Sequence, residues 1–149
     1  MTTTAPRRGT LPPGAGFTAP FVRKAERAPA GPGAYVLVVV LRRRLTLTIP
    51  GHEGVVLPAG RYLYCGSAYG AGGLRARLGR HMRHGKSVRW HIDHLTEAGR
   101  VTGAWVLPGG NECALVAALS HLPVPLPGFG SSDCAICRSH LLHWPARAR

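Results

Sequence analysis

From residue 35 to 41 the chain reads Tyr-Val-Leu-Val-Val-Val-Leu with no polar interruption. A short valine-rich run of this kind predicts a central, buried strand. Leu45, Leu47 and Ile49 then alternate with Thr46 and Thr48 until Pro50-Gly51, the period-two pattern of a half-buried strand. Arg42-Arg43-Arg44 between the two runs reads as a hairpin turn. A loop over 51–60 leads to a short strand over 61–65, and Gly70, Gly72 and Gly73 punctuate the chain before a helix over 74–83. At about 100° per residue, Leu74, Leu78 and Met82 form the apolar stripe of that helix, with Arg77, His81 and His84 along one flank. A second helix is expected over 92–98 and a strand over 101–107, closed by Pro108-Gly109-Gly110. A last helix is expected over 112–119 with Asn111 as N-cap. The Pro- and Gly-rich stretch 123–130 reads as a loop, and 139–144 as a short returning strand. The pattern therefore predicts a small α/β (α+β) domain, a central antiparallel sheet flanked by helices, over residues 31–145.

Residues 1–30 differ. They hold five prolines, several basic residues and no continuous apolar block, which predicts a disordered basic tail and argues against a signal peptide or transit helix. The longest apolar run is far short of the roughly 20 residues that a membrane span needs. One domain of 149 residues with 45% hydrophobic content has enough apolar material for a core. Four cysteines without a secretory signal suggest reduced thiols or a metal site in a cytoplasmic protein.

Charge narrows the partner. Nineteen Lys and Arg against six Asp and Glu give a formal charge of +13 and a pI near 11.2, so a polyanion, DNA or else RNA, is the electrostatic complement. With only six carboxylates in the chain, a paired-Mg²⁺ site built on three or four of them is not expected, whereas one metal held by one carboxylate is.

Four motifs occur in order: Gly33-Ala34-Tyr35, Tyr64-Cys65-Gly66, Arg77 with His81, and Glu112. Together they resemble the GIY-YIG nuclease superfamily. Further stretches, Leu57-Pro58-Ala59-Gly60, Gly66-Ser67-Ala68, Trp90-His91-Ile92-Asp93-His94-Leu95 and Phe129-Gly130-Ser131-Ser132-Asp133-Cys134, are similar to a branch of it found alone or fused to repair enzymes such as endonuclease III. The resemblance implies a divalent-metal-dependent DNA endonuclease, acting in DNA repair or processing. It selects Tyr35, Tyr64, Arg77 and His81 as catalytic, with His91 as a further candidate, and Glu112 as the ligand of a single Mg²⁺ or Mn²⁺. Arg75, Arg80, His84, Lys86 and Arg89 are the candidate nucleic-acid contacts. A cytoplasmic or nucleoid-associated location would follow.

Each of these residues has a plainer reading: tyrosines pack in sheets, basic residues solvate helices, Glu112 suits a helix start, and His91 could simply be held by Asp93. The same fold without turnover, a nucleic-acid-binding module, is the alternative function. Two departures from the family pattern stand out. Tyr35 and Tyr64 are 29 positions apart, which implies an insertion around Arg42–Arg44 and leaves the register open. Ala34 and Cys65 replace isoleucines. Finally, Cys134, Cys137, His140 and His143 recur every third residue. Structural zinc sites usually draw on two separated pairs, and on a strand His140 and His143 face opposite sides, so zinc is not expected there and a zinc-stabilised interaction domain ranks last.

Overall fold

The structure, a computed structural model, describes residues 10–130 and 136–145. The valine run forms β2 (Gly33–Leu41), the middle of a five-stranded antiparallel sheet. Its neighbours are β5 (Gly60–Ala68) and β6 (Arg100–Pro108), with β1 (Phe21–Val22) and β7 (Leu141–Trp144) at the two edges. The α+β expectation holds, and both faces of the sheet are covered. One face packs Leu37, Val39 and Tyr62 against α1 (Gly73–Met82) and α2 (His91–Ala98) through Leu74, Leu78, Ile92 and Leu95. The other packs Val36, Leu63, Cys65 and Trp105 against Leu115 and Leu119 from the region of α3 (Glu112–Ala118). Burial on both faces explains why β2 reads as a continuous apolar run rather than an alternating one.

Three expectations change. Residues 10–30 do not form a disordered tail: Phe21 and Val22 pair with Trp105 and Ala104 as the edge strand, Phe21 lies 5.0 Å from the Trp105 ring, and Ala28 is buried. Apolar Phe21 and Val22, placed beside an otherwise open sheet edge, outweigh the proline content. Arg42–Arg44 do not make a hairpin between β2 and its successor. Instead Leu45–Thr46 (β3) pairs with Val56–Leu57 (β4) in a separate two-stranded ribbon, because both long edges of β2 are already taken by β5 and β6. Leu47 and Ile49 are still buried, so the alternation read the burial correctly and the pairing wrongly. β5 is also longer than the expected 61–65. The helices fall close to their predicted bounds, and Asn111 caps α3 by accepting the Ala114 amide at 3.0 Å. Among the described residues no helix is long and apolar enough to cross a membrane.

The ribbon accounts for the 29-residue separation of the tyrosines and leaves the main register clear. Tyr35 lies opposite Gly66 and Tyr64 opposite Leu37, so both tyrosines stand on the α1 face, diagonally adjacent.

Candidate functional site

Tyr35 is fully buried, and its hydroxyl lies 2.7 Å from Nε2 of His81. The cross-strand Gly66 makes this possible: a Cβ there would overlap the Tyr35 ring and hydroxyl, so the glycine of the second motif is the floor on which the first tyrosine lies. Gly130 does the same for Tyr64. Its φ is +69° and a Cβ would sit 2.8 Å from the Tyr64 ring, a backbone conformation and a closeness that only glycine tolerates well.

Arg77, one turn before His81 on α1, donates from Nη1 to the Ser67 carbonyl at 2.7 Å, and its guanidinium stacks 4.6 Å from the centre of the Trp90 ring. The Ser67 hydroxyl in turn donates to Glu112 Oε1 at 2.6 Å, and Glu112 Oε2 lies 2.9 Å from Nδ1 of His140. Alternation along β5 sends Tyr64 to one face and Ser67 to the other. Glu112, at the start of α3 on the far side, therefore joins the group through the Ser67 side chain.

Electrostatics tie these groups together. Burial raises the Tyr35 phenol well above its ordinary value, with Tyr64 adding and Arg77 opposing. Burial, then Glu112, raises Tyr64 in the same way. Both are neutral donors at physiological pH. Burial, reinforced by the Arg77 charge, pulls His81 down to about 3, so its imidazole is neutral and one ring nitrogen is a proton acceptor. The other nitrogen, Nδ1, has no hydrogen-bond partner among the described residues. Glu112 is held below the usual carboxylate range by His140 first, although burial pushes the other way, and then by Ser67.

The structure brings Tyr35, Tyr64, Arg77, His81 and Glu112 into one neighbourhood. His91 stands at its edge: Nδ1 accepts the Gly130 amide at 2.8 Å and the ring packs 5.4 Å from Phe129, which itself meets Tyr64 edge to face. It is not held by Asp93. That carboxylate grips Arg80 in a two-point fork at 2.6 and 2.9 Å and accepts the Arg89 and Trp90 amides.

The expected DNA contacts are distributed differently. Arg80 is committed to Asp93 and stacks on Trp90, 4.2 Å from the ring centre. Arg75 donates to the Ala28 carbonyl, and Lys86, with its side chain almost buried, pairs with Glu97 at 2.7 Å. His84 lies beyond the end of α1 and bonds the Gly99 carbonyl rather than joining Arg77 and His81. Arg89 is exposed.

Four contributors carry no site role from sequence: Ser67 and Trp90 stand in the resemblance stretches without one, His140 in the three-residue repeat read against zinc, and Cys113 in no motif. Ser67 was within reach, since it follows Cys65 by two and must share its face. Cys113 and one ring nitrogen of His140 lie within 4.8 Å of each other and of the Cys137 sulfur. His143, the fourth member of the three-residue repeat, instead stacks on Tyr62, 5.3 Å away. Asp133 and Cys134 fall outside the described residues.

A family model described as "Domain of unknown function DUF123" matches residues 34–149. No curated protein and no solved structure matches the chain.

Proposed function

The chain belongs to the DUF123 family, and from the site it builds we propose that it is a metal-dependent endonuclease that hydrolyses a phosphodiester bond of DNA by a GIY-YIG-type mechanism. The observation that carries this reading is the convergence of a tyrosine hydroxyl on a buried neutral imidazole, 2.7 Å apart, beside the Arg77 guanidinium and, through Ser67, the Glu112 carboxylate.

In this reading Arg77 neutralises the scissile phosphate, its guanidinium held in place by the Ser67 carbonyl and the Trp90 face. Tyr64 orients the attacking water. Tyr35, its hydroxyl donating to the neutral His81 Nε2, holds Tyr64 and Arg77 in place from below, and the proton of the water passes to the leaving 3′-oxygen. The phosphorus–oxygen bond to the 3′-oxygen breaks as the new bond to water forms. Glu112, an ionised hard-oxygen ligand, fits a single Mg²⁺ or Mn²⁺ completed by waters and phosphate oxygens. Bound there, such an ion would offset the charge of the leaving oxygen.

One observation favours the alternative, a binding module without turnover. Both Glu112 oxygens already have protein partners, Ser67 and His140, which is also what a purely structural carboxylate would show.

The test is incubation of the protein with labelled duplex, flap, branched and single-stranded DNAs in Mg²⁺ or Mn²⁺, with a chelator control. Glu112→Gln keeps size and removes charge. It is expected to abolish metal-dependent cleavage while leaving DNA affinity in chelator nearly unchanged. Arg77→Ala is expected to lower the cleavage rate roughly 10²–10³-fold, far more than it lowers binding. Tight binding with no cleavage by the wild type in any divalent ion, or full cleavage by Glu112→Gln, would replace the nuclease by the binding module.

A further inference from the structure

We propose that Cys113, Cys137 and His140 form a zinc site, with the Glu112 carboxylate supporting His140 from behind. The three ligand atoms, two sulfurs and one ring nitrogen, lie within 4.8 Å of one another. Around a tetrahedral zinc, with bonds of about 2.3 Å to sulfur and about 2.0–2.1 Å to nitrogen, neighbouring donors stand roughly 3.5–3.8 Å apart. Small side-chain rotations of about 1 Å would close the triangle onto one ion.

The donor chemistry selects the metal. Two thiolates and an imidazole suit zinc and disfavour Mg²⁺ or Mn²⁺, which take oxygen. The neighbouring carboxylate selects the nitrogen. Nδ1 of His140 faces Glu112 Oε2 at 2.9 Å, so a ring donating through Nδ1–H carries its lone pair on Nε2. This carboxylate–histidine–metal arrangement is the usual support of a zinc-bound histidine, and it raises the ring's donor strength.

The topology explains why the chain spacing is misleading. Cys137 and His140 are a close pair in the segment leading into β7, whereas Cys113 comes from the first turn of α3, more than twenty residues earlier. One distant ligand joined to a close pair makes a three-ligand set, which holds a tetrahedral zinc with water in the fourth position. The regular three-residue repeat ending at His143 is not that set, because His143 points to Tyr62 instead. A metal here would fasten α3 to the β7 segment and fix the position of Glu112, whose other oxygen faces Ser67 and, through it, Arg77. The proposed site is thus separate from the phosphate-binding groups but adjoins them through one side chain.

The test uses the whole chain purified under reducing conditions. Elemental analysis is expected to find one zinc per chain. After chelator stripping, the reduced protein should take up one Co²⁺ with the intense visible bands of a tetrahedral ion and a thiolate charge-transfer band in the near ultraviolet, both abolished by added Zn²⁺. Cys113→Ser and Cys137→Ser should each remove the charge-transfer intensity. Glu112→Gln should keep the spectrum but weaken metal affinity roughly 10–100-fold, the usual effect of losing such a supporting group.

If a serine variant fails to fold, alkylation of the wild type decides: Zn²⁺ should protect Cys113 and Cys137 together. Failure of the reduced wild type to bind Co²⁺, an octahedral spectrum without charge transfer, unprotected thiols, or a Cys113–Cys137 disulfide in the purified protein would each overturn the proposal. None of these readouts uses cleavage, so the zinc site and the nuclease reading fail separately.

Discussion

Neutrality is the central property of His81. Its Nε2 serves the Tyr35 hydroxyl only while the ring is uncharged, and burial together with Arg77 holds it so, down to about pH 3. The stability consequence has a definite sign. The unfolded chain titrates this histidine near 6.5 and the folded one near 3, so between those values the unfolded state binds the extra proton. Stability from this source is complete above 6.5 and is lost as pH falls toward 3, at up to about 1.4 kcal/mol per pH unit. Burial lowers His91 as well, adding in the same direction. Denaturant unfolding from pH 6.5 to 5 should therefore show a falling midpoint in the wild type and a clearly flatter profile in His81→Gln. Equal slopes would mean that His81 is already open to water in the folded state.

At the scale of elements, β1 is the smallest strand and the one whose loss is easiest to predict. It covers the β6 edge, where Phe21 tilts against Trp105 at 5.0 Å, and without it β6 would present an unpaired, partly apolar edge. Phe21 is half-buried, so Phe21→Ala should cost about 2 kcal/mol, less than the 3–5 kcal/mol of a fully buried phenylalanine. Chemical denaturation would measure the loss, and an unchanged midpoint would show that the edge pairing contributes nothing. The β3–β4 ribbon illustrates a complementary point. It lengthens the connection between β2 and β5 without disturbing their register, which runs unbroken from Gly33 opposite Ala68 to Leu41 opposite Gly60.

At the scale of the molecule, a charge of +13 is not all at the site. Arg42, Arg43, Arg44 and Arg100 line a cavity of about 490 Å³ at the end of β2 remote from Tyr35, while Arg23, Lys24 and Arg27 are exposed around Ala25, which lies against α1 at Gly79. If DNA is the partner, affinity should fall steeply with salt, because each neutralised phosphate releases counterions with a log–log slope of about −0.9. Serine at Arg23, Lys24 and Arg27 should make the slope shallower by up to about 2–3. Substitution is the right comparison here, since deleting the segment would also remove β1. A salt-insensitive affinity would refute the electrostatic basis of the DNA reading.

The sequence alone determined what is local or periodic. The apolar run marked β2, the 3.6-residue stripe marked α1, and Asn111 before Glu112 marked the start of α3, because each signal lies within a few neighbouring residues. The order of Tyr35, Tyr64, Arg77, His81 and Glu112 was legible too, through a resemblance that rests on motif order rather than on geometry. Tertiary structure decided whatever depends on which distant residues meet. It made Gly66 the floor beneath Tyr35, drew Phe21 and Val22 out of an apparent tail onto a free sheet edge, and directed Arg80 and Lys86 to carboxylates of α2. It also joined Cys113 to Cys137 and His140 while turning His143 away. Strand pairing and side-chain direction across a sheet are set by packing between segments far apart in the chain, and no local pattern encodes them.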